Sequence, residues 1–175
     1  TGNSEEFSPQ NLIDCVTYSY GCNGGDLPSA FDYVINKQNG SFCTMESYPY
    51  IAAEGLCLFN SCKKVGHLKS YFYSKGDEDD LAENVANLGP LVVTVDASNW
   101  SFQLYTGGIY DPGDCSADNK NQNLLCIGYG FEGETKYWIL QNTWGTSWGE
   151  KGTIRFIRGK NSCEIASGVP IVNID

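Results

Sequence analysis

The spacing of apolar residues changes near residue 70, and this change constrains the fold more than any other feature of the 175-residue chain. Before it, Leu27, Ala30, Phe31, Val34 and Ile35 recur at helical spacing, and Gly40 after Asn39 supplies a stop. Ser8-Pro9 reads as an N-cap and first helical position for a short helix through Leu12 and Ile13 to Cys15. Gly21-Cys22-Asn23-Gly24-Gly25 fits no regular element, and Ser47-Tyr48-Pro49-Tyr50 and Ala52-Ala53 belong to an irregular loop. After the change, Ser70–Tyr73, Leu91–Val95, Leu124–Tyr129, Tyr137–Gln141 and Thr153–Ile157 read as strands. Among them, Asp79-Asp80-Leu81 opens a helix with Leu81, Val85 and Leu88 on one side, closed by Gly89-Pro90. The expected fold class is α+β: a helical first lobe over residues 1–70 and a β-rich second lobe over 71–175.

Composition narrows the partners. A formal net charge of -10 disfavours nucleic acid and anionic membrane surfaces, which select a basic face. No apolar run reaches the length of a membrane span. Eight cysteines point to an oxidising, secreted or lysosomal (vesicular) setting, as do the sequons at Asn39 and Asn99. Thr1 is not a start residue, and no signal peptide is visible, so a processed or cut chain is expected. One histidine, His67, and no pair of CxxC motifs leave no expectation of a metal or other cofactor. His67 itself reads as a surface or linker residue.

Three stretches together carry a resemblance. They are Ser8-Pro9-Gln10-Asn11-Leu12-Ile13-Asp14-Cys15 with Gly21–Gly25; Gly107-Gly108-Ile109-Tyr110 leading to Gly128-Tyr129-Gly130; and Gln141-Asn142-Thr143-Trp144-Gly145 followed by Ser147-Trp148-Gly149. In this order and spacing they resemble the papain and cathepsin L family of cysteine peptidases, from about residue 8 to Ala166. The resemblance implies a papain-like two-lobe fold, with an incomplete helical first lobe and a β-barrel-like second lobe. It also implies a Cys–His pair oriented by an Asn, in which imidazole takes the thiol proton to give a nucleophilic thiolate. Asn142 matches the orienting Asn, and Trp144 matches the Trp that shields its hydrogen bond to the imidazole.

Two family features have no match. The family's nucleophile opens a segment that would precede Thr1, and the oxyanion-hole Gln belongs to that segment. Counting back from Gly128-Tyr129-Gly130 without a gap, the catalytic His position falls on Gln122, followed by Asn123. A carboxamide has no nitrogen that titrates near neutral pH, so it cannot act as general base. The expected function is therefore a catalytically inactive homologue that binds a peptide or protein partner in its cleft. One alternative is the heavy-chain part of a secreted or lysosomal cysteine endopeptidase whose nucleophile comes from another segment or chain. Another is a structural subunit.

On the resemblance, Gly24 and Gly25 present backbone groups to an extended peptide, although a tight turn alone also accounts for them. Leu27 and Ala166 lie near positions that shape the pocket for the peptide's second residue, and Asn123, Trp144 and Trp148 belong to the site wall. Eight cysteines allow about a hundred complete pairings, and sequence alone does not choose among them. The family implies Cys15–Cys57, Cys115–Cys163 and, as in its falcipain branch, Cys43–Cys62. Cys126, inside an apolar strand, reads as a buried free thiol. Cys22 is left over, and its family partner lies in the absent segment, so an upstream stretch or a second chain bonded to Cys22 is expected.

Overall fold

The computed structural model describes residues 5–113 and 115–174. In chain order its elements are α1 (Pro9–Cys15), α2 (Leu27–Lys37), β1 (Phe42–Cys43), β2 (Lys64–Val65), β3 (Leu68–Tyr73), α3 (Glu78–Leu88), β4 (Leu91–Val95), α4 (Trp100–Gln103), β5 (Ile109–Tyr110), β6 (Gln122–Glu132), β7 (Thr135–Gln141), β8 (Thr153–Ile157) and β9 (Pro170–Ile174). The chain forms two compact units. One runs to Phe72 and takes back the stretch from Val172; the other is Tyr73–Ile171. The expected second lobe extended to residue 175, but β9 pairs with β3, and that pairing returns the chain end to the first unit.

In the first unit, α1 starts as its sequence dictates. The Ser8 hydroxyl accepts from the Asn11 N–H at 3.1 Å, and Pro9 fills the first helical position, where no N–H is needed. The helix buries polar side chains, Gln10 and Asn11, and each is satisfied. Gln10 Nε2 donates to Asp14 (2.8 Å) and to the Ala53 carbonyl (2.7 Å), while its Oε1 accepts from Ile51 N–H (3.1 Å). Asp14 accepts from the Tyr48 hydroxyl (2.6 Å) and from Gly55 N–H (2.7 Å). These bonds and the Cys15–Cys57 bridge lash the irregular 48–57 loop to α1. The buried cluster here is small: Cys15, Cys43, Tyr48 and Cys62. Disulfides do much of the work that a larger apolar core does elsewhere.

Helix α2 is capped by Asp26, which accepts from Ser29 N–H at 2.9 Å, and it ends where Gly40 N–H donates to the Val34 carbonyl. Of its expected apolar stripe only Val34 is buried; Leu27, Ala30, Phe31 and Ile35 are half-buried. Leu12 and Ile13 of α1 are half-buried as well.

The second unit is built on a five-stranded sheet of order β4-β6-β7-β8-β5. All its pairs are antiparallel except β5 with β8. The expected β-rich second lobe is built on this sheet, with β4 and β5 the first and last strands in its order. Strict alternation in β4 puts Leu91, Val93 and Val95 inward. They meet Phe102, Leu124, Cys126, Trp138, Leu140, Ile154 and Phe156 in one core. Each such aliphatic side chain contributes about 2 kcal/mol by burial. Helix α3 adds Leu81, Ala82 and Val85; Leu88, expected on the same side, sits in the last turn and is 60% exposed. Strand β6 runs past the expected Tyr129 to Glu132, with a bulge between Cys126 and Gly128 that breaks the alternation. The three bridges that the resemblance implies are present, Cys15–Cys57, Cys43–Cys62 and Cys115–Cys163. Cys126 is a buried free thiol and Cys22 an exposed one.

Candidate functional site

Strand β6 begins at the end of the sheet where β7 finishes, because the two run antiparallel with Leu125 opposite Gln141. This topology brings the first residue of β6, Gln122, to the residue just after β7, Asn142. Gln122 Nε2 donates to Asn142 Oδ1 at 3.0 Å. Asn142 is 7% exposed, and its backbone N–H is fixed by the Gly152 carbonyl at 2.9 Å. Its Oδ1 also accepts from Thr143 N–H at 2.8 Å, which settles the amide orientation, since only the oxygen can accept there. The Asn142 Nδ2 is left buried without a hydrogen-bond partner among the described residues. The Gln38 carboxamide in the first unit is unpartnered in the same way, so this feature does not by itself mark a site.

Asn123 points to the exposed side, where its Oδ1 accepts from the Thr94 hydroxyl at 2.8 Å across the β4–β6 pair. Trp144 is 40% exposed and packs edge-on against Phe102 and Trp148, with ring centroids 5.6 and 5.4 Å apart. Trp148 is half-buried, and its indole N–H donates to the Gln103 carbonyl at 3.0 Å. The two tryptophans thus act as the rim of an aromatic cluster that also contains Tyr105 and Tyr110. Ala166 is fully enclosed in the second-unit core; its carbonyl accepts from the Ser74 hydroxyl at 3.2 Å.

In the first unit, Gly24 and Gly25 are exposed and follow a single 3-10 turn over Gly21–Asn23. Gly24 is already occupied: its N–H donates to the Gly21 carbonyl and its carbonyl accepts from Tyr20 N–H. Among the described residues Gly25 makes neither bond, so of the pair it is the one with backbone groups to offer. A Cβ at Gly25 would lie 2.5 Å from the Ser19 hydroxyl oxygen, a contact that only glycine avoids. Leu27 is the first residue of α2 and half-buried. His67 lies in the same unit, half-buried beside Gly40.

A groove of about 710 Å³ lies elsewhere on the second unit, lined by Ile109, Asp111, Glu132, Lys136, Arg158 and Lys160, and touches none of these residues. It is wide and mixed in charge. Among the described residues no group of three or more His, Cys, Asp or Glu could hold a metal ion, and no helix is long and apolar enough to cross a membrane.

Two features had no sequence signal. Asp96 is a buried carboxylate that accepts from the Ser98 hydroxyl (2.5 Å), Ser98 N–H (3.0 Å), Asn119 Nδ2 (3.1 Å) and Ser116 N–H (3.5 Å). The Ser98 hydroxyl bond is the main cause holding its pKa below the ordinary aspartate value. Through these bonds Asp96 fastens the 115–119 loop that leads into Gln122. The second feature is Lys120, whose ammonium donates to the carbonyls of Glu164 and Ser167.

Residues 1–172 match the family described as Papain family cysteine protease. The chain is similar to cathepsin K of Mus musculus, 42% identical over 163 residues that cover 93% of this chain and 49% of that protein. It is 45% identical to cathepsin L1 of Drosophila melanogaster over 166 residues, 91% of this chain and 44% of that protein. The structure of digestive procathepsin L2 proteinase from Tenebrio molitor larval midgut superposes with a TM-score of 0.88 at 36% identity, over 98% of this chain and 54% of that one. The fold and these matches define a papain-like cysteine peptidase domain. The chain belongs to the papain family, within its cathepsin L-like group, and spans about half the length of the curated relatives it matches.

Proposed function

We propose that this protein is a non-catalytic papain-family member that binds an extended peptide or protein segment. The observation that carries the reading is Gln122, which occupies the position matched to the family's catalytic histidine and satisfies Asn142 Oδ1 at 3.0 Å. The carboxamide reproduces the histidine's hydrogen bond to the orienting Asn but not its proton transfer. The reading rests on residue 122 and not on where the sequence begins. On this reading Asn142, Trp144, Trp148 and Asn123 are the binding residues of the second unit and Gly25 and Leu27 those of the first, while the fully enclosed Ala166 offers no side-chain surface. In this reading the two units are the two lobes of one domain.

Three disulfides support an oxidising, secreted or lysosomal location. An exposed Asn39 supports glycosylation there, which a mass shift on endoglycosidase treatment checks. The half-buried Leu12, Ile13 and Phe31 favour a further segment or second chain over the first unit, joined through the exposed Cys22. The experiment is peptide binding and peptide hydrolysis measured side by side on the native full-length protein. Binding without hydrolysis is expected; hydrolysis supports the heavy-chain reading instead.

A further inference from the structure

The chain has two Asn-Gly pairs, Asn23-Gly24 and Asn39-Gly40. An asparagine carboxamide is most open to attack by its own backbone when glycine follows, because no Cβ hinders closure of the ring. The attacking atom is the glycine's backbone nitrogen. Asn23 and Asn39 are both exposed, so what holds that nitrogen separates the two pairs.

Gly40 is buried and held on both sides. Its N–H donates to the Val34 carbonyl at 2.9 Å, and its carbonyl accepts from Leu68 N–H at 2.7 Å. The position a Cβ would take lies 2.5 Å from the Leu68 carbonyl oxygen and 2.9 Å from His67 Nδ1, so this peptide unit has no room to turn. Gly24 is exposed, and nothing beyond its chain neighbours lies within 4 Å of its Cβ position. Its N–H reaches the Gly21 carbonyl at 3.3 Å, longer than the usual range for such a bond. Its carbonyl accepts from Tyr20 N–H at 2.9 Å, a bond within the same short turn. That turn is a single 3-10 turn over Gly21–Asn23, whose hydrogen-bond geometry is poorer than an α-helix's. The Asn23 carboxamide makes no hydrogen bond among the described residues.

We propose that Asn23, and not Asn39, deamidates spontaneously in the folded protein, so that the turn before Gly25 gains isoaspartate as the protein ages. The Gly24 nitrogen gives up its proton and attacks Asn23 Cγ. The N–Cγ bond forms, the Cγ–Nδ2 bond breaks, and ammonia leaves with the proton, giving a succinimide. Water then adds to one of the two imide carbonyls. Opening at Cγ gives aspartate; opening at the Asn23 main-chain carbonyl gives isoaspartate, whose chain runs through Cβ and Cγ. Water is the one co-reactant. Either product places a negative charge next to Cys22, whose N–H the Glu54 carboxylate accepts at 2.9 Å. Isoaspartate also adds a backbone carbon inside the loop that the Tyr20–Gly24 bond closes.

The native full-length protein is incubated for weeks near pH 8, and Asn, Asp and isoaspartate at each site are separated by peptide mapping. Asn39 is read on its glycan-free peptide. Isoaspartate should accumulate at position 23 at least about tenfold faster than at 39, because the Gly40 nitrogen reacts only through local opening. Near pH 5 the rate at 23 should fall by about tenfold or more, since the reacting nitrogen must lose its proton. In reductant and guanidinium chloride both sites should convert at similar rates, as unfolding frees Gly40. Equal conversion at 23 and 39 in the folded protein overturns the inference. So does an unmodified Asn23 after the unfolded chain has converted. Asn23→Gln, whose longer side chain must close a six-membered ring, should lose the more acidic variant on isoelectric focusing. That variant growing at the wild-type rate in a folded Asn23→Gln protein also overturns it. Should Asn23→Gln fail to fold, the wild-type time courses decide the matter without it.

Discussion

Gln122 Nε2 and Asn142 Oδ1 meet at 3.0 Å at one end of the second unit's sheet, the donor on the first residue of β6 and the acceptor just beyond β7. The bond keeps the geometry that an imidazole at position 122 would make with the same oxygen, while the side chain that makes it cannot titrate. A site that keeps this partner but lacks the base is, on the proposed reading, one that binds without cutting. On the proposed reading, Asn142 orients nothing that reacts; it holds one wall in shape.

Giving peptidase chemistry to a recombinant chain of residues 1–175 should take two changes. Gln122→His alone, and a family nucleophile segment grafted ahead of residue 1 alone, should each leave hydrolysis of a fluorogenic peptide at background. Both together are the minimum for turnover, since a thiol without an imidazole partner keeps its ordinary pKa and an imidazole without a thiol has nothing to deprotonate. Turnover in either single variant would contradict this.

Replacing Cys115 and Cys163 together by Ala opens a bridge with a sequence separation of 48 residues. The chain-entropy treatment gives a loss of about 4 kcal/mol, and native-state relaxation lowers it. Urea unfolding of the double variant should show a midpoint shift of that order. A shift under about 1 kcal/mol would mean that the bonds of Asp96 to the 115–119 loop suffice to hold it.

Asp96 predicts acid lability. Its folded pKa lies below the unfolded value, chiefly through the Ser98 hydroxyl. A carboxyl depressed in the folded state contributes stability that is whole above its unfolded pKa, about 3.9, and is lost as pH falls through the folded value. The window is therefore below about pH 4. Asp96→Asn should be less stable than wild type at pH 7 and show a smaller further loss between about pH 5 and pH 2. Parallel pH profiles for the two proteins would count against it.

The elements most legible in the sequence were those with local chemistry. Ser8-Pro9 marked α1, and β4 and β8 were bounded at the residues that alternation gave. The two-residue strands β1, β2 and β5 are too short to carry a period. Strand β9 opens on Pro170, which reads as a stop, and helix α4 hides behind Asn99, read as a sequon although it caps the helix by accepting from Ser101 N–H. Position 122 is singled out in the sequence because the glycines at 128 and 130 fix its register. Asp96 and Lys120 were not found, because their partners are mostly backbone groups or residues far away in the chain, which no residue pattern marks.

The two free thiols should behave oppositely. Burial pushes the Cys126 thiol up to about 11, so at pH 8 almost none is thiolate, and iodoacetamide should reach it only on unfolding. Cys22 is exposed. It should alkylate readily in a recombinant chain of residues 1–175, yet be blocked in native material if an upstream segment or second chain is bonded to it. A native protein with Cys22 freely alkylated would remove the covalent argument for such a partner.

The central claim is that this papain-family protein binds and does not cut, and it is tested most directly by turnover of the unmodified native protein. Purified full-length protein is assayed with fluorogenic peptides across pH 4 to pH 8, alongside a thiolate-directed electrophile. The account predicts hydrolysis no faster than in buffer and no stoichiometric labelling, because Gln122 cannot raise a thiolate. Hydrolysis that co-purifies with the protein and disappears when it is immunodepleted would contradict the account.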